Sequence, residues 1–264
     1  MTTAWSLLAR ELDDWRASGR LATLWWRDDD AVRDTDALGR LFAIARAGKV
    51  PVTLAVIPAT CDASLVAAIR ACREATVVQH GYAHANHARP GERSSEFGAD
   101  RALDERVGEL VRGHARLADA FGVRFAPVFV PPWNRYSADV LASLPAVGLS
   151  GISAFGARGS PSPAPGVTQV NSHVDPIAWR RGRSFIGDEA AIGRVVTHLR
   201  ARRHDEVDAT EPTGLLTHHL AFDDPAFAFV AELVERTRAH PAAAWLDVRH
   251  AFELDNDVTS VRSA

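Results

Sequence analysis

Residues Gln79 to His87 read Gln-His-Gly-Tyr-Ala-His-Ala-Asn-His and bring three histidines within eight positions. Imidazoles packed so densely point to a metal, because neutral histidine is the commonest nitrogen ligand for zinc and similar ions. A catalytic metal site needs about three protein ligands and a position left open for water. Arg27-Asp28-Asp29-Asp30 supplies three candidate carboxylates for the remaining ligand. The two motifs, distant in sequence, are expected to converge on one metal site.

Both motifs end apolar runs, Ala75-Thr76-Val77-Val78 before the histidines and Leu21 to Trp26 before the acids, so both are placed at strand ends. Further strand-like runs at 50–57, 125–131, 151–155, 167–174, 214–218 and 244–248 bring the expected number to about eight. Helical patterns separate most of them. Asp62, Asp100 and Ser137 are the expected start signals for three of these helices, and a polar-faced helix at about 4–18 precedes the first strand. Strands that alternate with helices form parallel sheets, and about 250 residues suffice for a barrel. The chain is expected to be an α/β protein, a distorted (β/α) barrel of about 7–8 parallel strands in one domain, 1–264. The distortion is expected around 151–174, where no helix pattern is visible and Gly156 to Pro165 reads as a loop.

A net charge of −3 and arginines interrupted by acids exclude a general basic footprint, so nucleic acid is not an expected partner. No apolar run approaches the roughly 18 residues of a membrane span, and Met1-Thr2-Thr3-Ala4-Trp5 lacks the layout of a signal peptide. A cytoplasmic location is the expectation. Cys61 and Cys72 form no CxxC pair and are expected as free thiols.

Asp29 and Asp30, His80 and His84, Pro131-Pro132-Trp133, Asp175, and His218-His219 all fall at the C-terminal ends of strands, the rim on which barrels build active sites. Chance would scatter them over both rims. A serine hydrolase is excluded, since Gly148-Leu149-Ser150-Gly151 is not a Gly-x-Ser-x-Gly elbow.

Taken together, an Asp-Asp pair after a strand, His-x-x-x-His after the third, Pro-Pro-aromatic after the fourth, a later Asp with a Trp, and Leu-x-x-His near the end resemble the polysaccharide deacetylases, carbohydrate esterase family four. The resemblance covers residues 21 to about 219. It implies one divalent metal, usually zinc, held by Asp-His-His, and removal of acetyl groups from an N-acetylated carbohydrate substrate. Ala31 stands where the family has Gly, which makes Asp30 the implied metal ligand with His80 and His84, Asp29 the implied catalytic base, and Asp28 an extra acid. His87 is expected to be an ordinary loop histidine.

Val130-Pro131-Pro132-Trp133-Asn134 departs from the family's Arg-Pro-Pro-Tyr-Gly, so the arginine that would hold the base is missing, with Arg27 or Arg135 as substitutes. The backbone N–H of Trp133 is the implied oxyanion donor, and Pro132 and Trp179 belong to the implied substrate pocket. Asp175-Pro176-Ile177-Ala178-Trp179 lacks the family's second acid. Leu215-Leu216-Thr217-His218 makes His218 the implied general acid, oriented by Asp175, with His219 the competing choice. His114, His198, His204, His240 and His250 are expected on surfaces or helix faces. The departures leave two other readings open, hydrolysis of a different C–N bond (ureido or cyclic amide) and a non-catalytic sugar-binding protein.

Overall fold

The computed structural model describes residues 4–180 and 182–254. The chain begins with α1 (Ala4–Ala17), whose Trp5, Leu8, Leu12 and Trp15 recur at helical spacing and are buried. There follow β1 (Ala22–Ala31), α2 (Asp36–Gly48), β2 (Val52–Val56), α3 (Ala63–Arg70), β3 (Ala75–His80), α4 (Leu103–Phe121) and β4 (Phe125–Val130). After α5 (Ala138–Ser143) come β5 (Gly151–Ile152), β6 (Thr168–Gln169), and a small hairpin of β7 (Ile177–Ala178) and β8 (Ser184–Phe185). The chain continues through α6 (Asp188–Arg203), β9 (Thr213–Thr217), α7 (Asp224–Ala239), β10 (Ala243–Leu246) and α8 (Val248–Ala251).

Eight strands form one sheet in which β1 to β6 lie side by side, with β9 and β10 also on β1. Every pairing in it is parallel. β9 takes one edge of β1, while β10 and β2 divide the other, at Ala22–Trp25 and Arg27–Ala31 respectively. Single bridges, Phe155 to Ser172 and Val174 to Leu215, carry the segment after β6 across to β9. The sheet therefore curls into a distorted barrel. Its distortion lies where it was expected, since β5 and β6 are two residues each and no helix joins them.

Period-two alternation along the strands separates two cores. Trp25, Ala55, Val78, Ala126, Val128, Val130 and Val170 pack together in the lumen. Leu24, Trp26, Leu54, Val77 and Phe129 face outward, where helices cover them. Arg27 continues the inward series of Trp25, two residues on, and Asp29 follows it at the rim. Asp62 caps α3 by accepting from the Ser64 and Leu65 amides, a contact worth about 1 kcal/mol. Asp100 does not open α4, which starts at Leu103. It pairs instead with Arg89 at 3.0 Å, as a carboxylate on an exposed loop meets a free guanidinium sooner than a helix end three residues away. Cys61 and Cys72 are free and buried. No helix among the described residues is long and apolar enough to cross a membrane.

Candidate metal centre

Asp30, His80 and His84 converge at the C-terminal rim, with their ligand atoms within 4.8 Å of one another. Asp30 Oδ1 lies 3.2 Å from His80 Nε2 and 3.4 Å from His84 Nε2. A plain strand would aim Asp30 the same way as Asp28, outward. The register between β1 and β2 shifts between Asp28 and Ala31, and Asp30 takes a φ of 71°, so a bulge swings its carboxylate over the barrel mouth. His84, Trp133 and Asn134 also occupy the left-handed region, with φ of 55°, 55° and 56°. Non-glycine residues hold that conformation only where the surroundings enforce it, and such strain concentrates at functional sites.

His80 is fully buried and its Nδ1 lies 2.9 Å from the Val130 carbonyl, which accepts the Nδ1 proton and leaves Nε2 to face Asp30. Metal-binding histidines are oriented in this way. Burial disfavours a charged His80, but the neighbouring Asp29 and the bond to Asp30 outweigh it and raise its pKa. Burial would likewise raise Asp30, yet the His80 bond and the charges of His80, His218 and His84 hold its carboxyl well below the usual range. Burial and the proximity of His80 lower the His84 pKa, which keeps that ring neutral. One oxygen and two ring nitrogens around a place that attracts positive charge fit a divalent cation.

The loop between the two histidines is built around a residue the sequence did not single out. Glu96 is buried and accepts from the backbone amides of Ala83 at 2.7 Å, Tyr82 at 3.2 Å and Ala85 at 3.4 Å. Gly81 lies against it with a φ of 55°. A side chain there would place its Cβ 2.1 Å from Glu96 Oε2 and 2.5 Å from Pro132 Cγ. His87 is exposed, and its amide donates to the Ser95 carbonyl at 2.9 Å.

The three consecutive acids go three ways. Asp29 meets Arg27, with Nη2 at 3.1 Å from Oδ2 and Nε at 2.9 Å from Oδ1. The same guanidinium donates to Ser153 Oγ at 2.6 Å, the Ala154 carbonyl at 3.2 Å and Asn134 Oδ1 at 2.9 Å. Of the two substitutes considered, Arg27 therefore holds Asp29, while Arg135 reaches away to the Ser94 carbonyl. Asp28 is not an idle solvated acid. It is fully buried and accepts from Thr217 Oγ1 at 2.6 Å, from the His219 amide at 3.0 Å and from His219 Nδ1 at 2.5 Å. Burial opposes a charged His219, but Asp28 outweighs it and raises the pKa of that ring.

His218, by contrast, opens on the site, with Nε2 4.0 Å from Asp29 Oδ2. Trp179, itself 41% exposed, stands edge-on to it at 4.6 Å, and Trp133 packs on His84 at 4.3 Å. Asp175 does not hydrogen-bond His218. Its oxygens accept from the Ile177 amide at 3.0 Å and from Trp179 Nε1 at 2.6 Å, whereas His218 Nδ1 has no hydrogen-bond partner among the described residues. Burial raises the Asp175 pKa despite the nearby His218. Pro132 is buried against Gly81.

A second group, His173, His198 and Glu211, also has ligand spacing. Its hydrogen bonds run the wrong way for a metal. The Gly214 amide donates to His173 Nδ1 at 2.9 Å, so the proton sits on Nε2 and faces Glu211 Oε2 at 3.3 Å. His198, expected on a surface or helix face, lies on α6, where its ring is partly buried and stacked on His173 at 3.5 Å.

By sequence, no family model and no curated protein matches this chain. Its structure does find matches. A family 4 acetyl xylan esterase from Clostridium thermocellum, solved with a cobalt ion, superposes with a TM-score of 0.56 at 15% identity, over 89% of this chain and 92% of that one. The fold is that of carbohydrate esterase family 4. A family 4 carbohydrate esterase from Streptomyces lividans, in complex with acetate, gives 0.55 at 15% identity over 85% and 91%. A peptidoglycan deacetylase from Bacillus subtilis gives 0.57 at 12% identity over 89% and 92%.

Proposed function

We infer that this protein is a metal-dependent hydrolase that removes acetyl groups from an N-acetylated sugar or glycan precursor. The observation that carries the reading is the convergence of Asp30, His80 and His84 beside an Asp29 carboxylate that is itself 4.0 Å from His218. Asp30, His80 and His84 would hold the cation, zinc by the nature of the donors, and the cation would supply Lewis acidity and a water of lowered pKa.

The remaining roles belong to the chain. Asp29, held by Arg27 in one orientation, accepts the proton of the attacking water. The Trp133 N–H donates to the developing oxyanion. His218 protonates the departing amine, without which nitrogen is a poor leaving group, and such proton transfer contributes roughly 10²–10⁴ in rate. Trp179 and Trp133 offer flat faces for a sugar ring. Acetate release across a panel of N-acetylated monosaccharides, sugar nucleotides and lipid-linked sugars, with and without added zinc or cobalt, tests this reading. Metal-dependent release from at least one member is expected, and saturable binding without release from any would overturn it.

A further inference from the structure

His218 reaches the site without a hydrogen bond to aim its Nδ1. Its Nδ1 has no hydrogen-bond partner among the described residues, and both oxygens of Asp175 are taken by Ile177 and Trp179. What remains to orient the ring is the edge of Trp179 and the backbone that carries it, at φ −138° and ψ 90°. That backbone is bracketed. Thr217 on one side and His219 on the other both bind the same carboxylate, Asp28.

The register of the sheet explains why this matters. The last ladder pair between β1 and β9 is Asp28 opposite Thr217, so everything beyond it, including Asp29 and His218, lies past the end of regular pairing. The Asp28 side chain extends the connection by two residues, because it holds the His219 amide and ring after the ladder has stopped. Both members of this Asp–His pair are buried, with side chains 0% and 1% exposed, and Trp26 Nε1 adds a further bond to the Thr217 hydroxyl at 2.9 Å. Buried polar networks in which each member is satisfied are rigid, and rigidity is what a proton donor without its own orienting partner requires.

We propose that Asp28 and His219 form a positioning pair that sets the His218 ring against Asp29 through the backbone, in place of a carboxylate bonded to His218 itself. The assignment of His218 as the acid rests on the proposed deacetylase reading, whereas the positioning of the ring does not. Asp28 and His219 touch neither substrate nor metal in this arrangement. Their removal should reach turnover only through His218.

The test compares Asp28→Ala with Asp28→Asn in the zinc-loaded full chain. An asparagine keeps an oxygen for the Thr217 hydroxyl and the His219 amide and can donate to a neutral His219 Nδ1, so it should rescue what alanine loses. Asp28→Ala is expected to lower kcat by about 30-fold or more, with KM and zinc content within about twofold of wild type, and Asp28→Asn to retain at least about a third of kcat. A parallel fall in kcat and zinc content, or an Asp28→Ala enzyme within about threefold of wild type, would overturn the pairing. Nitrogen-15 spectra of the histidine side chains supply a readout independent of activity. His218 should give one sharp tautomer pattern in wild type and Asp28→Asn, and a broadened or mixed one in the variant that lacks the carboxylate. If Asp28→Ala does not fold, His219→Ala takes its place in both measurements with the same expectation. An unaltered His218 spectrum there would refute the proposal even if no deacetylase activity is found, which would separately refute the proposed function.

Discussion

Arg27 and Asp29 stand two residues apart on β1, and the guanidinium of the first holds the carboxylate of the second through Nε at 2.9 Å and Nη2 at 3.1 Å. Their side chains are 0% and 4% exposed. With Ser153, Ala154 and Asn134 on its other N–H groups, Arg27 ties β1 to the ends of β4 and β5. Arg27→Met should therefore lower the unfolding free energy by about 3–5 kcal/mol, because Asp29 is left as an unpaired buried charge. Arg27→Met with Asp29→Asn should recover stability without recovering activity, as measured by urea denaturation alongside acetate release. A lysine at 27 cannot reproduce the fork and should remain well below wild type in turnover.

Ligand substitutions separate the metal site from its neighbours. Asp30→Ala and His80→Ala should each abolish stoichiometric zinc, while His87→Ala retains it, since His87 is exposed and outside the cluster. Elemental analysis of the purified proteins decides this, and zinc retained in both Asp30→Ala and His80→Ala would remove the proposed centre.

Base and acid should fail differently from the ligands. Asp29→Asn and His218→Ala are expected to keep zinc and lose roughly 10²–10⁴ in kcat. Loss of zinc from Asp29→Asn but not from Asp30→Ala would shift the assignment of the acids by one position.

Glu96 holds three amides of the loop that carries His84. Glu96→Gln turns one acceptor into a donor facing an N–H, so His84 should lose its fixed place and zinc affinity should fall by about 10–100-fold. Competition with a chelator of known affinity measures the change, and an unaltered affinity would restrict Glu96 to a role in folding.

His198 predicts a pH dependence of stability. Burial, reinforced by His173 and Arg202, pushes its pKa down to about 2 from an ordinary value of 6.5. The unfolded chain thus binds a proton below about pH 6.5 that the folded protein refuses, and stability falls as pH drops from there towards the folded value. The slope from this one group is about 1.4 kcal/mol per pH unit. His198→Leu should flatten the fall between pH 6 and 4.5 relative to wild type by about that amount, and parallel curves from denaturant titrations would contradict it.

Much of the architecture was legible in the chain because it depends on local periodicity. Apolar runs of strand length alternating with helical patterns indicated parallel strands, and the position of His80 and His84 after one such run placed both rings on the rim. Even the Arg27–Asp29 contact has a local basis, since residues two apart on a strand share a face. What sequence could not decide was the direction of each acid. Asp28, Asp29 and Asp30 are chemically identical neighbours, and their separation follows from a bulge whose φ of 71° at Asp30 is enforced by the strands on either side. The choice of Arg27 over Arg135, the burial of Asp28 against His219 and the seating of Glu96 beneath His84 also depend on contacts between segments distant in sequence. Such contacts leave no period in the chain, because the energy that selects them comes from desolvated charges finding partners only after the barrel has closed.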